Sequence, residues 1–136
     1  GEDRQQLEEQ IARLNLQSSI RLEAPKADVA DFYLNASLYI LSSRYEGLPM
    51  VLLEAQAYGL PIVAYACKCG PRDIITEGVD GFLVEEGNIE ELATHIKHLI
   101  EQDAMRKQMG QEAAKASARF DEERVMQQWI NLFERL

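Results

Sequence analysis

The sequence predicts an α/β domain: a parallel sheet with helices on its faces. Short apolar stretches rich in β-formers, Leu38-Tyr39-Ile40-Leu41 and Ile62-Val63-Ala64-Tyr65-Ala66, alternate with segments of helical composition. The spacing between them suits strand–helix–strand crossovers, which parallel neighbours require. A third observation is the turn at 42–49, which passes from a strand to a helix through Gly47 and Pro49.

Taken in order, Leu7, Ile11, Leu14 and Leu16 recur at helical spacing between Gln5 and Leu16. Ile20-Arg21-Leu22-Glu23 alternates apolar and charged residues, which predicts a strand closed by Ala24-Pro25-Lys26. Asp28 is the expected N-cap of a short helix over 29–35. The strand at 38–41 follows, then a helix from Pro49 to Tyr58. Pro49 suits the first helical position because its missing N–H costs nothing there, and Gly59 with Pro61 ends the helix.

A strand at 62–66 leads through the loop Cys67 to Pro71 into a helix at 72–77. Gly78-Val79-Asp80-Gly81 reads as a turn, since Gly and Asp-Gly favour positive φ, and a strand at 82–84 comes next. Asn88 with Glu91 predicts a capped helix to about Gln102. Asp103 starts another, with Met105, Met109 and Ala113 along one face, and Asp121 caps the last. There Val125, Trp129, Leu132 and Phe133 form an apolar stripe expected to pack on the sheet or against a second domain. The reading amounts to a Rossmann-like parallel sheet of about four strands, near 20–23, 38–41, 62–66 and 82–84.

The 136 residues fit a single domain, 1–136, with one modest core. With 14 basic and 23 acidic residues the net charge is −9, which argues against binding nucleic acid or an anionic membrane through a broad basic surface. No apolar run is long enough to span a bilayer, and the polar start, Gly1-Glu2-Asp3-Arg4, does not resemble a signal peptide, so a cytoplasmic protein is expected. Cys67 and Cys69, one residue apart, are expected as free thiols. His95 and His98 lack a third ligand, so no metal site is expected.

The chemistry concentrates in Glu46-Gly47-Leu48-Pro49-Met50-Val51-Leu52-Leu53-Glu54-Ala55. A helix start at the carboxyl end of a strand presents free N–H groups and partial positive charge to an anion or a hydroxyl-rich ligand. Glu46 stands before that helix and Glu54 inside it, so the two meet different parts of an extended ligand. Plainer readings stay open: an acid near a helix start favours the dipole, a helical glutamate usually faces water, and Gly47 serves a turn needing positive φ. Tyr45, Met50 and Tyr58 are expected as packing residues, and Arg44 as the partner of a neighbouring acid.

This stretch, with Tyr58-Gly59-Leu60-Pro61-Ile62-Val63 after it, resembles the E-x7-E signature of retaining GT-B glycosyltransferases of family 4, also called group 1. The resemblance continues through Cys69-Gly70-Pro71-Arg72-Asp73-Ile74-Ile75 and Gly78-Val79-Asp80-Gly81-Phe82-Leu83-Val84, and ends in the helix carrying Trp129 and Phe133. It implies the donor-binding C-terminal domain of such an enzyme. The donor is a UDP- or GDP-sugar, no further cofactor takes part, and a hexose or N-acetylhexosamine passes to a saccharide, lipid-linked or teichoic-type acceptor.

By the same resemblance, Glu46 accepts hydrogen bonds from donor-sugar hydroxyls and is the residue assigned to catalysis. Glu54 accepts from the ribose hydroxyls, as a carboxylate can from two donors at once. The amides of Gly47, Leu48 and Met50 face sugar and phosphates, and the base meets Glu23, Ala24 and Lys26. The family often has a glycine where this sequence has Ala24-Pro25.

Family members also carry two strand–helix units of this domain and a whole N-terminal domain before the part matching residue 1; Gly1 itself is either the counterpart of a glycine ending the preceding strand or a tag remnant. The first of those units brings the Arg and Lys that grip the diphosphate, and the N-terminal domain brings the acceptor site. The chain is therefore expected to be a truncated GT-B C-terminal domain, inactive by itself, whose parent works on a membrane-associated acceptor at the inner face of the membrane. A diphosphate beside two carboxylates, uncompensated, costs about 4 kcal/mol at an effective dielectric of 20, against about 1 kcal/mol from the helix start. Weak or no diphosphate binding is the expectation. A non-catalytic nucleotide-sugar-binding module and an interaction domain that kept only the fold are the competing readings.

Overall fold

The computed structural model describes residues 2–135, so the reading of Gly1 lies outside the described residues. The elements run α1 (Arg4–Arg13), α2 (Ala30–Asn35), β1 (Tyr39–Leu41), α3 (Met50–Ala57), β2 (Ile62–Tyr65), α4 (Pro71–Ile74), β3 (Gly81–Val84), α5 (Ile89–Glu101), α6 (Asp103–Ser117), a 3-10 turn (Ala118–Phe120) and α7 (Glu122–Phe133). The strands are parallel in the order β1-β2-β3, with Tyr39 opposite Ile62 and Ile62 opposite Gly81.

β2 is apolar throughout because both of its faces are covered. Ile62 and Ala64 pack with Leu52, Ala55, Ile74 and Ile75, while Val63 and Tyr65 pack with Val84, Leu92, Leu99 and Met109. Alternate side chains of one strand thus build two cores, α3 and α4 closing the first and α5 and α6 the second. Gly81 opens β3 because a Cβ there would lie 2.5 Å from the Ile62 carbonyl oxygen.

Local signals placed several helix ends. Asn88 Oδ1 accepts from the Glu91 N–H at 3.1 Å, and Asn88 Nδ2 donates to Glu91 Oε2 at 2.8 Å. Gly59, at φ 70°, ends α3 in a Schellman arrangement: its N–H bonds the Gln56 carbonyl and the Leu60 N–H reaches back to Ala55. Asp28 Oδ1 accepts from the Ala30 N–H at 3.0 Å, so α2 begins one residue later than expected. Asp121 precedes α7 without capping it through its side chain.

Other expectations are corrected. Residues 20–23 form no strand; the sheet of described residues has three strands, not four. Alternation marks a segment able to pair, but a strand exists only beside a neighbour that takes its backbone hydrogen bonds. Here the Leu22 carbonyl accepts from the Arg4 guanidinium at 3.0 Å, and the apolar residues of α1 gather with Leu16, Ile20 and Leu22. Trp129 and Phe133 do not pack on the sheet: they stack on each other at 5.9 Å and are 51% and 65% exposed. The helix expected at 72–77 is the single turn Pro71–Ile74.

Asp80, in the turn expected at 78–81, is a buried carboxylate, 1% exposed. Its Oδ1 accepts from the Thr76 N–H at 2.8 Å. Burial pushes its pKa above the ordinary carboxylate value, against the hydrogen bond from Thr76 and the positive charge of Arg119. An acid whose folded pKa is raised stabilises the fold most below its unfolded pKa, and that contribution is lost as pH rises through the folded value. Asp80→Asn keeps the acceptor for Thr76 and removes the ionisation. Its melting temperature relative to the parent chain is expected to rise as pH increases from the ordinary carboxylate range, about pH 4, and to level off once Asp80 is ionised in the folded chain. A difference independent of pH in thermal melts would contradict this.

Candidate functional site

The turn between β1 and α3 is built from close packing rather than from a flexible glycine at its own centre. Gly47 does not adopt positive φ, and a Cβ on it would meet nothing within 4 Å, which corrects the turn reading of that residue. The left-handed glycine is Gly70, in the loop after β2, at φ 91°. A Cβ there would lie 2.6 Å from the Gly47 carbonyl oxygen and 2.5 Å from Pro49 Cδ. The β2–α4 loop therefore buttresses the β1–α3 turn. Gly70 in turn donates its N–H to Asp73 Oδ2 at 3.1 Å, and the Asp73 N–H returns to the Gly70 carbonyl at 2.9 Å.

Pro49 lies just outside α3, at φ −74° and ψ 95°, so the helix begins at Met50. No side chain caps this start, and the Leu52 N–H turns back on the Pro49 carbonyl at 2.9 Å. The first turn of α3 therefore presents amides at the carboxyl end of β1, with Gly47, Leu48 and Met50 all on the surface. Tyr45 is 86% and Met50 58% exposed, so neither is the packing residue expected; Tyr58 is also exposed, but its ring stacks on Tyr33 at 5.1 Å.

Glu46 is half-buried in the turn and Glu54 is exposed on α3. Both lie close enough to one phenol to act on it: burial pushes Tyr39 above the ordinary tyrosine value, and the charges of Glu54 and then Glu46 add to the effect. Glu54 also accepts the Tyr33 hydroxyl at 2.7 Å. Burial, that hydrogen bond and the glutamate charge hold the Tyr33 phenol well above its usual range, so it stays a donor. Sequence reasoning missed Tyr33, Tyr39 and Gly70. A tyrosine in a short amphipathic helix needs a partner for its hydroxyl when its ring is buried, and that need was the one available signal for Tyr33.

Glu23, Ala24 and Lys26 occupy an exposed irregular segment. Lys26 pairs with Glu23 at 3.5 Å and sits 4.4 Å over the Phe32 ring, beside a cavity of about 410 Å³ lined by Lys26, Asp28, Asp31, Phe32 and Asn35. Helix α2 thus connects the two sets of predicted residues: Phe32 meets Lys26 and the adjacent Tyr33 meets Glu54. Among the described residues neither Arg44 nor Arg72 makes an ion pair, so the acid partner expected for Arg44 is not found. A separate cavity of about 290 Å³ lies at the amino ends of β1 and β2, between Tyr33, Ser37, Tyr58, Pro61 and Arg106, away from the turn.

His95 stacks on Phe82 at 4.2 Å and lies 3.9 Å from Glu91. No group of three His, Cys, Asp or Glu among the described residues is arranged to hold a metal ion. Cys67 and Cys69 are free thiols, the first buried and the second exposed. No helix of the described residues is long and apolar enough to cross a membrane.

The amylovoran biosynthesis glycosyltransferase AmsD of Erwinia amylovora is 35% identical over 132 residues, 97% of this chain and 37% of that protein. The poly(ribitol-phosphate) alpha-N-acetylglucosaminyltransferase of Staphylococcus aureus is 28% identical over 138 residues, 98% of this chain and 27% of that protein. The backbone of Anabaena HepE in complex with UDP superposes with a TM-score of 0.89 at 30% identity, over 97% of this chain and 36% of that one. The chain thus spans about a third of the length of AmsD and HepE, and its three-stranded α/β architecture corresponds to part of a GT-B domain. The family model described as "Glycosyl transferases group 1" matches residues 1–116, and on that match the chain belongs to the glycosyl transferases group 1 family.

Proposed function

We propose that this chain is the donor-binding part of a retaining glycosyltransferase that moves a hexose or N-acetylhexosamine from a nucleotide sugar to a saccharide, lipid-linked or teichoic-type acceptor. Glu46 receives the donor-sugar hydroxyls and Glu54 the two ribose hydroxyls. The amides of Gly47, Leu48 and Met50 face sugar and phosphates, and Glu23 to Lys26 approach the base. A uridine donor is favoured because HepE, 30% identical over 97% of this chain, is seen with UDP and with UDP-glucose.

The observation carrying this reading is the placement of Glu46 in the turn and of Glu54 on α3, either side of an uncapped helix start at the carboxyl end of β1. Residues 1–136 act as one unit, and polypeptide outside them supplies the diphosphate-gripping cations and the acceptor site. The chain is inactive alone because the cleft between two domains does not form, and the whole protein works against the inner face of the membrane.

Uridine tests the reading without the charge penalty of a diphosphate. In an NMR titration, uridine is expected to shift resonances of Gly47 to Glu54, UDP is expected to bind no more tightly, and Glu54→Ala is expected to weaken uridine at least about fivefold. Uridine and UDP that leave the 46–54 resonances unmoved would remove the proposal.

A further inference from the structure

Tyr33 is absent from every motif that marks the candidate site, yet it makes the one side-chain hydrogen bond recorded for Glu54 among the described residues. The donor sits on α2 and the acceptor on α3, 21 positions apart in sequence. The Tyr33 ring is buried at 8% exposure and stacks with two others, Tyr58 at 5.1 Å and Tyr39 at 5.9 Å. A buried ring held by two stacked neighbours presents its hydroxyl at one place. Glu54 is otherwise an exposed carboxylate with several rotamers of similar energy.

We infer that Tyr33 is a positioning residue for ribose recognition: it tethers Glu54 Oε2 and so aims Oε1 and the remaining lone pairs at a vicinal diol. This rests on the ribose role proposed for Glu54. A carboxylate oriented in advance loses less freedom when the diol arrives, and its acceptors lie where two adjacent hydroxyls can both donate. A wandering glutamate still meets hydroxyls but selects weakly for two neighbouring ones. The consequence is selectivity for a ribonucleoside over one lacking the 2′ and 3′ hydroxyls. The protonated phenol supports this, since its neighbours hold it above the ordinary tyrosine range and it remains a donor throughout neutral pH.

The test compares uridine with 2′,3′-dideoxyuridine by NMR titration of the whole chain and of Tyr33→Phe, Tyr58→Phe and Glu54→Ala. Tyr33→Phe keeps the ring and its stacking and removes only the donor, and a melting curve for each variant separates any packing loss. The parent chain is expected to prefer uridine by about tenfold. Tyr33→Phe should reduce that preference to about twofold, through weaker uridine binding with dideoxyuridine unchanged. Tyr58→Phe, which keeps the other stacked ring and whose hydroxyl is not bonded to Glu54, should leave it intact. If Glu54→Ala abolishes the preference and Tyr33→Phe does not alter it, the positioning role is overturned while the ribose role stands. If Glu54→Ala leaves the preference unchanged, or uridine does not bind, both fall.

Discussion

Replacing Gly110 with alanine is expected to cost the chain about 3 kcal/mol of stability. Gly110 lies in α6 where that helix crosses the end of α3, and an added Cβ would run into the Gly59 carbonyl oxygen, with Pro61 Cδ 3.5 Å away. Neither neighbour can give way. Gly59 sits at φ 70° in the hydrogen-bonded stop of α3, and Pro61 leads into β2, the strand buried on both faces. Relief requires α3 and α6 to part, which loosens Met109 and Ala113, both within 3% of full burial. A urea titration should show a lower midpoint with an unchanged slope, the sign of lost stability rather than a changed denatured state. An unchanged midpoint would mean that the helices tolerate separation at this crossing.

Gly70→Ala is expected to lose about 3 kcal/mol as well and, unlike Gly110→Ala, to abolish uridine binding in the molecules that remain folded. Two causes combine. The φ of 91° is one that L residues rarely adopt, and the Cβ would strike the Gly47 carbonyl and Pro49. The loop holding this contact is tied by the reciprocal bonds between Gly70 and Asp73, so the β1–α3 turn must move instead. Displacing it misdirects the amides of Gly47 to Met50 that are proposed to face the ligand. Shifts confined to 68–74, with uridine binding intact, would show the two loops to be independent.

Much of the fold was legible because it rests on short-range chemistry. Asn88 with Glu91, and Gly59 before Pro61, mark helix ends through bonds closed within a few residues. The apolar run at 62–65 reads as a strand covered on both faces because no polar residue interrupts it. The sequence at 20–23 carries an equally clean alternation and forms no strand, since alternation describes one partner of a pair and the partner is not beside it. Trp129 and Phe133 show the same limit: their stripe identifies an apolar face and says nothing of what covers it.

The candidate site divides in the same way. Glu46, Gly47 and Glu54 stand close in sequence, so a motif could single them out together. Tyr33 reaches Glu54 across 21 positions, and Gly70 supports Gly47 from the next strand's loop. Asp80 was legible as a turn residue, but its burial, which raises its pKa against the hydrogen bond from Thr76 and the charge of Arg119, is set by packing.

By itself, the sequence determined the α/β class, the family, and which residues stand at the strand-to-helix turn, because periodicity, caps and an ordered motif are properties of neighbouring residues. Only the tertiary structure decided how many strands pair, which glycine takes the left-handed backbone, and that a tyrosine holds the second glutamate. Each of those depends on atoms far apart along the chain being brought within a few ångströms, and packing, not local pattern, sets such distances.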